Sequence, residues 1–151
     1  MMRATRSGAP RQRGIAAVEL ALVLPVLFIL VMFPLYLGRV YWHYTAIQYA
    51  AQDAARYLSK VPVSEFQTPR IAAMTAVASA IAAQDLAELA PGYSPYMIAL
   101  ECGGGPCTGA STRPASVQVK IRVAMEDIFF SGRTGMDMTL TAEVTYPYVG
   151  R

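Results

Sequence analysis

The stretch IAAVELALVLPVLFILVMFPLYLG, Ile15 to Gly38, runs for 24 residues with a single charge, Glu19. At about 1.5 Å of rise per residue, a helix of that length crosses a hydrocarbon core of about 30 Å with a little to spare. The sequence therefore predicts one helix spanning the lipid bilayer. A cleaved secretory signal would instead show an apolar core of about 7 to 15 residues and a small-x-small cut site beyond it. This run is longer and ends in Tyr36-Leu37-Gly38-Arg39. Glu19 is what a plain anchor leaves unexplained, since insertion scales put a charge at the bilayer centre at about 2.5 to 3.5 kcal/mol. Either the carboxylate stays near the membrane edge, or something in the membrane pairs with it.

Composition outside this run is ordinary. The chain has 151 residues, enough for about one domain, with 54% hydrophobic and 15% charged residues. Arg3, Arg6, Arg11 and Arg13 give residues 1–14 four positive charges and no acid, which places the N-terminus in the cytoplasm and the C-terminal portion outside. From Ile15 onward, nine basic residues face ten acidic ones, so the net charge of +3 reports topology and gives no support to nucleic-acid binding. Residues 1–14 have no apolar period and read as a disordered leader.

Beyond Gly38 the helical pattern continues without proline to Lys60, so one helix is expected to run from about Ile15 to Lys60. Tyr41, Trp42 and Tyr44 fall where an interfacial aromatic belt belongs. Ala46, Ala50 and Ala54 form one i, i+4 row, with Ala51 and Ala55 beside it, a surface that lets another helix approach closely. Pro25 and Pro34 mark places where the helix can bend or unwind.

Val61-Pro62-Val63-Ser64 breaks the helix. Thr68-Pro69 reads as an N-cap followed by proline at the first helical position. From there Ile71, Met74, Ala78, Ile81 and the Leu86/Leu89 pair step at helical spacing to Ala90, and Pro91-Gly92 ends the run. The remainder alternates like strands: Tyr96 to Glu101, then Val117, Val119, Ile121 and Val123, then Met138, Leu140, Ala142, Val144 and Tyr146, with Ser131 to Gly135 in the last connection. The expectation is an α+β protein in which the second, amphipathic helix packs on an antiparallel sheet of about three strands. Residues 1–14 form the leader, 15–60 the long helix, and 61–151 a small head.

Cys102 and Cys107 flank Gly-Gly-Gly-Pro. On the outer face of a bacterial-type membrane such a close pair is expected to close a short loop as a disulfide. No metal site and no cofactor is predicted, because the single histidine, His43, lies far from both cysteines. His43 itself reads as an interfacial residue in the stretch Trp42-His43-Tyr44, and it leaves a Ser-His-Asp arrangement on the head without a base. Gly103-Gly104-Gly105-Pro106 lacks the Lys-Ser/Thr of a phosphate loop. Glu126-Asp127 reads as a solvated turn, and Asp53 with Arg56 as a surface pair. No catalytic site is predicted.

Gly14 followed by IAAVE, behind a short arginine-rich leader and ahead of an apolar run, looks like a prepilin peptidase site of the type IV pilin class. Over about Arg13 to Ser59 the chain resembles TadE-like proteins, through Arg13, Gly14, Val18, Glu19, Ala21 and Pro25 at the start and Ala54, Ala55, Arg56 and Tyr57 near the end of the helix. The resemblance implies a pseudopilin, or minor pilin, of a tight-adherence (Flp) pilus. Such a protein is cleaved between Gly14 and Ile15, held in the bacterial inner membrane with its head in the periplasm, and needed to assemble the adhesive pilus. Its partners would be the prepilin peptidase, other pilins and pseudopilins of the same system, and the inner-membrane assembly platform. Cleavage would leave Ile15 with a charged amine one helical turn from Glu19, and between subunits such a pair would set both register and affinity. The alternative is an uncleaved single-pass protein whose periplasmic head binds a partner or ligand.

Overall fold

The computed structural model describes residues 13–87, 89, 96–108, 113–125 and 138–150. Four expectations lie outside the described residues: the leader over residues 1–12, the Ala90 to Gly92 helix end, the Glu126-Asp127 turn, and the Ser131 to Gly135 connection. Within the described residues, helix α1 runs from Arg13 to Lys60, a 3-10 turn from Val63 to Phe66, and helix α2 from Arg70 to Ala87. Strands β1 (Tyr96–Cys102), β2 (Gly105–Pro106), β3 (Ser116–Met125) and β4 (Met138–Pro147) complete an α+β architecture. The chain divides into two compact units, one up to Arg39 and one from Val40 onward.

The first unit is the apolar half of α1. It is the one candidate among the described residues for crossing a membrane, with a mean hydropathy of 2.8 over its most apolar window. Leu22, Val26, Ile29 and Phe33 are all more than 60% exposed. Side chains of this kind left uncovered in one long row call for an apolar surrounding. Pro25 and Pro34 lie inside the helix, which persists through both. The donors they remove would have served the carbonyls of Ala21 and Leu30, one turn earlier.

The second unit is built on a four-stranded antiparallel sheet of order β2-β1-β3-β4. The alternation in β3 is realised residue by residue. Val117, Val119, Ile121, Val123 and Met125 are buried, whereas Gln118, Lys120 and Arg122 are half-buried or exposed on the opposite face. In β4, Leu140 and Ala142 continue that buried face, but Met138 at the strand's end is 42% exposed. The fourth strand, absent from the sequence reading, is a two-residue return inside the cysteine loop, pairing Cys102 with Gly105 and Glu101 with Pro106. Between them Gly103 and Gly104 have φ of 66° and 89°. Two successive positive φ values are what a two-residue type I′ hairpin requires, and glycine takes them at least cost.

Helix α2 departs from expectation at both its start and its inner face. It begins at Arg70, one residue later than the sequence suggests, and the Thr68-Pro69 peptide before it is cis. Pro69 lies before the helix, so it is not the first helical residue that the sequence suggests. The buried residues are Ile71, Met74, Ala78, Ala82 and Leu86, so Ala82 takes the place assigned to Ile81, which is half-buried. From Met74 onward the buried positions follow an i, i+4 row, and Ile81 lies on its flank.

One contiguous core joins these elements. It contains Ile47, Ala50, Ala51, Ala54, Ala55 and Leu58 of α1, Phe66, the inner face of α2, and the buried rows of β3 and β4. The chain's last described residues close it. Tyr148 donates its hydroxyl to the Val61 carbonyl at 2.6 Å, and its ring meets Phe66 edge-on at 5.3 Å. The amides of Val149 and Gly150 both donate to the Ser59 carbonyl at 3.0 Å. Near the end of α1 the orphan carbonyl of Ser59 is thus taken up by residues 149 and 150, a capping role usually met by local residues.

At Gly150 a Cβ would fall on the Val61 carbonyl and the Tyr148 hydroxyl, closer than real contacts allow. Gly150→Ala should therefore lower stability by about 1 to 3 kcal/mol, measured as a reduced denaturation midpoint of the full chain. The Tyr148 hydroxyl is raised above its ordinary 10.0 by burial, partly opposed by the Arg113 guanidinium 5.3 Å over its ring. A phenol that ionises later in the folded than in the unfolded chain supports the fold up to about pH 10, and that support is lost as pH rises further. Denaturant titrations from pH 7 to 11 should show stability falling above about pH 10, and Tyr148→Phe should remove this part of the fall. At neutral pH the same variant should cost about 1 kcal/mol, for the hydrogen bond lost to Val61.

Candidate functional site: the exposed start of the apolar helix

Gly14 and Ile15 stand in the first turn of α1, and Glu19 follows Ile15 by one further turn. All three are exposed, Ile15 by 67%. A Cβ at Gly14 would meet nothing within 4 Å, so local packing does not demand glycine there. The i, i+4 spacing brings the Cβ atoms of Ile15 and Glu19 to about 5 to 6 Å on one helix face. Around them Ala16, Ala17, Val18, Leu20 and Ala21 are exposed as well.

The other residues singled out in the sequence are dispersed. Cys102 and Cys107 sit at disulfide distance, with Cα atoms 5.0 Å apart, across the β1-β2 hairpin. Gly103 and Gly104 between them form the hairpin turn, and Gly105 belongs to β2. Asp53 and Arg56 approach to 3.9 Å with both side chains more than half exposed, a pairing worth little in stability. His43, placed by its sequence position at a membrane interface, is 4% exposed, so the protein itself covers its ring. Among the described residues no group of three His, Cys, Asp or Glu is arranged to hold a metal ion.

The alanine rows of α1 require a correction. Ala50, Ala51, Ala54 and Ala55 are 0% exposed and belong to the core shared with the sheet, and Ala46 is half-buried. The surface expected to admit another helix is thus filled within the chain itself, by a core that includes α2 as well as the sheet. An i, i+4 row of small residues says that something packs close, and here the same chain supplies it. The tail contacts of Tyr148 and Gly150 escaped sequence reading altogether, since nothing in Tyr146-Pro147-Tyr148-Val149-Gly150 encodes a partner 87 residues earlier.

No curated protein and no solved structure matches the chain. The family model for TadE-like proteins matches residues 14–56. That family is associated with Tad pili and is not an enzyme family. The matched segment is less than a third of the chain and begins at Gly14, the first residue of the exposed site. Over Gly14 to Arg56 the chain is similar to TadE-like proteins, the family that its Arg13-Gly14 and Val18-Glu19 start resembles.

Proposed function

We propose that the chain is a pseudopilin, or minor pilin, of a tight-adherence pilus, acting by helix-helix packing and without catalysis of its own. In this reading residues 1–14 are a cytoplasmic leader removed by a prepilin peptidase between Gly14 and Ile15. Residues 15–60 form the membrane helix and its extension, and residues 61–151 a periplasmic head. The new amine of Ile15 and the carboxylate of Glu19 are the assembly charges. Within a bundle the carboxylate of one subunit meets the amine of another, which removes the cost of a lone charge in the membrane and sets the axial register. Other pilins or pseudopilins and the inner-membrane assembly platform are the partners.

The observation that carries this reading is the coincidence at the start of α1. An exposed Gly14-Ile15 junction, one acid a helical turn onward, and the first residue of the family match all fall within six residues. The four leader arginines support the orientation that such a peptidase requires.

Intact-mass spectrometry of protein extracted from membranes of peptidase-positive cells should find a polypeptide beginning at Ile15. Retention of residues 1–14 in such cells would favour the uncleaved single-pass alternative. Glu19→Ala should be cleaved and inserted at normal levels yet fail to support piliation. Normal piliation of cells carrying only that variant would show that the carboxylate is dispensable.

A further inference from the structure

Strand β4 ends the sheet order β2-β1-β3-β4, with β3 on one side and no strand on the other among the described residues. Which of its backbone groups face outward follows from the ladder. The Tyr148 amide donates to the Ala115 carbonyl at 3.1 Å, continuing the register that pairs Pro147 with Ser116. In an antiparallel ladder, pairs that exchange hydrogen bonds alternate with pairs that do not. Tyr146, Val144, Ala142 and Leu140 therefore turn their amides and carbonyls toward β3, and Thr145, Glu143, Thr141 and Thr139 turn theirs outward. The Gly103 amide, donating to the Ser116 carbonyl, fixes the same phase from the other side of β3. All four outward residues are exposed, and among the described residues no further backbone bond reaches them.

Open edges are normally blunted by shortness, a bulge, an internal proline or an unpaired charge. β4 is 10 residues long, pairs with β3 one to one without a bulge, and has its proline at the last position. Its single charge, Glu143, already has Lys120 at 3.1 Å within its own sheet. The other outward residues are threonines, which suit a pleated strand. Such an edge is a template for a further strand.

The sequence of β4 selects the strand. Laid antiparallel against its own copy with Ala142 on the two-fold axis, Thr139 faces Thr145 of the copy and Thr141 faces Glu143, each twice. Every outward residue is then in a bonded pair, with about eight backbone hydrogen bonds in all. On the inner face Leu140 meets Val144 of the copy and Met138 meets Tyr146. Met138 is 42% exposed and Tyr146 half-buried, so this pairing covers apolar surface that the single chain leaves open. An axis at Glu143 would oppose two carboxylates and bring Pro147, which has no amide, into the bonded row. An axis at Thr141 would leave Thr145 without a partner inside the strand. We infer that β4 is a homotypic docking edge, at which two copies of this chain join their sheets by antiparallel pairing about Ala142. The inference concerns the second unit alone and rests on neither the cleavage at Gly14 nor the membrane reading of α1.

Cross-linking of the full chain in nonionic detergent tests the register. Cys102 and Cys107 are paired with each other, so Thr139→Cys and Thr145→Cys variants each carry one reactive thiol. Position 139 lies opposite position 145 of the copy, whereas like positions are offset by about 20 Å along the strands. With a short bis-maleimide, a mixture of the two variants should give a cross-linked dimer, and either variant alone should not. Adding Thr141→Pro to both chains should lower the yield about tenfold or more, since each proline removes an edge donor. The Thr141 amide faces away from β3, so the proline breaks no ladder bond and the variant should keep a cooperative thermal transition. No product from the mixture, an equal product from either variant alone, or a yield that the proline leaves unchanged overturns the proposal. A dimer held only through α1 would fall among these outcomes, because it would not set 139 beside 145. In membranes of cells making both variants, a product with a different polypeptide and none between two chains also overturns it, for then the edge serves another protein. If the proline variant fails to fold, the comparison of mixture with single variants decides alone.

Discussion

Burial of small side chains of α1 in the core it shares with α2, β3 and β4 is the constraint on which the second unit depends. Alanine at positions 50, 51, 54 and 55 of α1 is fully buried in the same core as Val117, Val119 and Ile121 of β3. An alanine brings little apolar area of its own, so the face gains mainly by letting backbone and larger neighbours come near. Ile47, Leu58 and Phe66, each 0% exposed, supply the bulk that the alanines lack. A larger residue in the alanine row would drive elements apart and open voids beside those three side chains.

A head this small has few reserves, and its closures are correspondingly non-local. The hairpin across Cys102 and Cys107 ties β1 to β2, while the Tyr148 hydroxyl and the Val149 and Gly150 amides tie the chain's end to the end of α1. On the outer face of the sheet, Lys120 lies opposite Glu143 in register and pairs with it at 3.1 Å, and Gln118 also donates to Glu143. Cross-strand pairs of this kind add about 0.2 to 1 kcal/mol each and help to hold β3 and β4 in register. The buried β3 row holds it more strongly, because a slip by one residue would turn five apolar side chains to water.

The two units put opposite demands on their side chains. From Val40 onward, one buried core takes up many of the apolar residues, although Tyr41, Trp42, Tyr49 and Met97 stay exposed. In the first unit most of the large apolar residues from Ile15 to Leu37 are exposed. Surroundings that solvate such a surface are apolar, and Glu19 is the single acid within that run. Among the described residues the candidate site consists of a junction and one charge on an exposed helix.

Sequence alone determined the apolar span and its single acid, the continuation of α1 to Lys60, the presence of a second helix, and the three longer strands. Those features depend on local period and composition, which 24 uncharged-but-one residues or a strict alternation in β3 state without help from the rest of the chain. The TadE-like stretch that starts at Gly14 was legible for the same reason, since it is contiguous. Tertiary structure decided what local pattern leaves open. It turned the alanine rows inward, moved the inner position of α2 from Ile81 to Ala82, added β2 through the φ values of Gly103 and Gly104, and made Tyr148 and Gly150 the clasp on Val61 and Ser59. A period shows which side of an element is buried. Only the packed chain shows against what, because the partner sits at a sequence distance that no local pattern encodes.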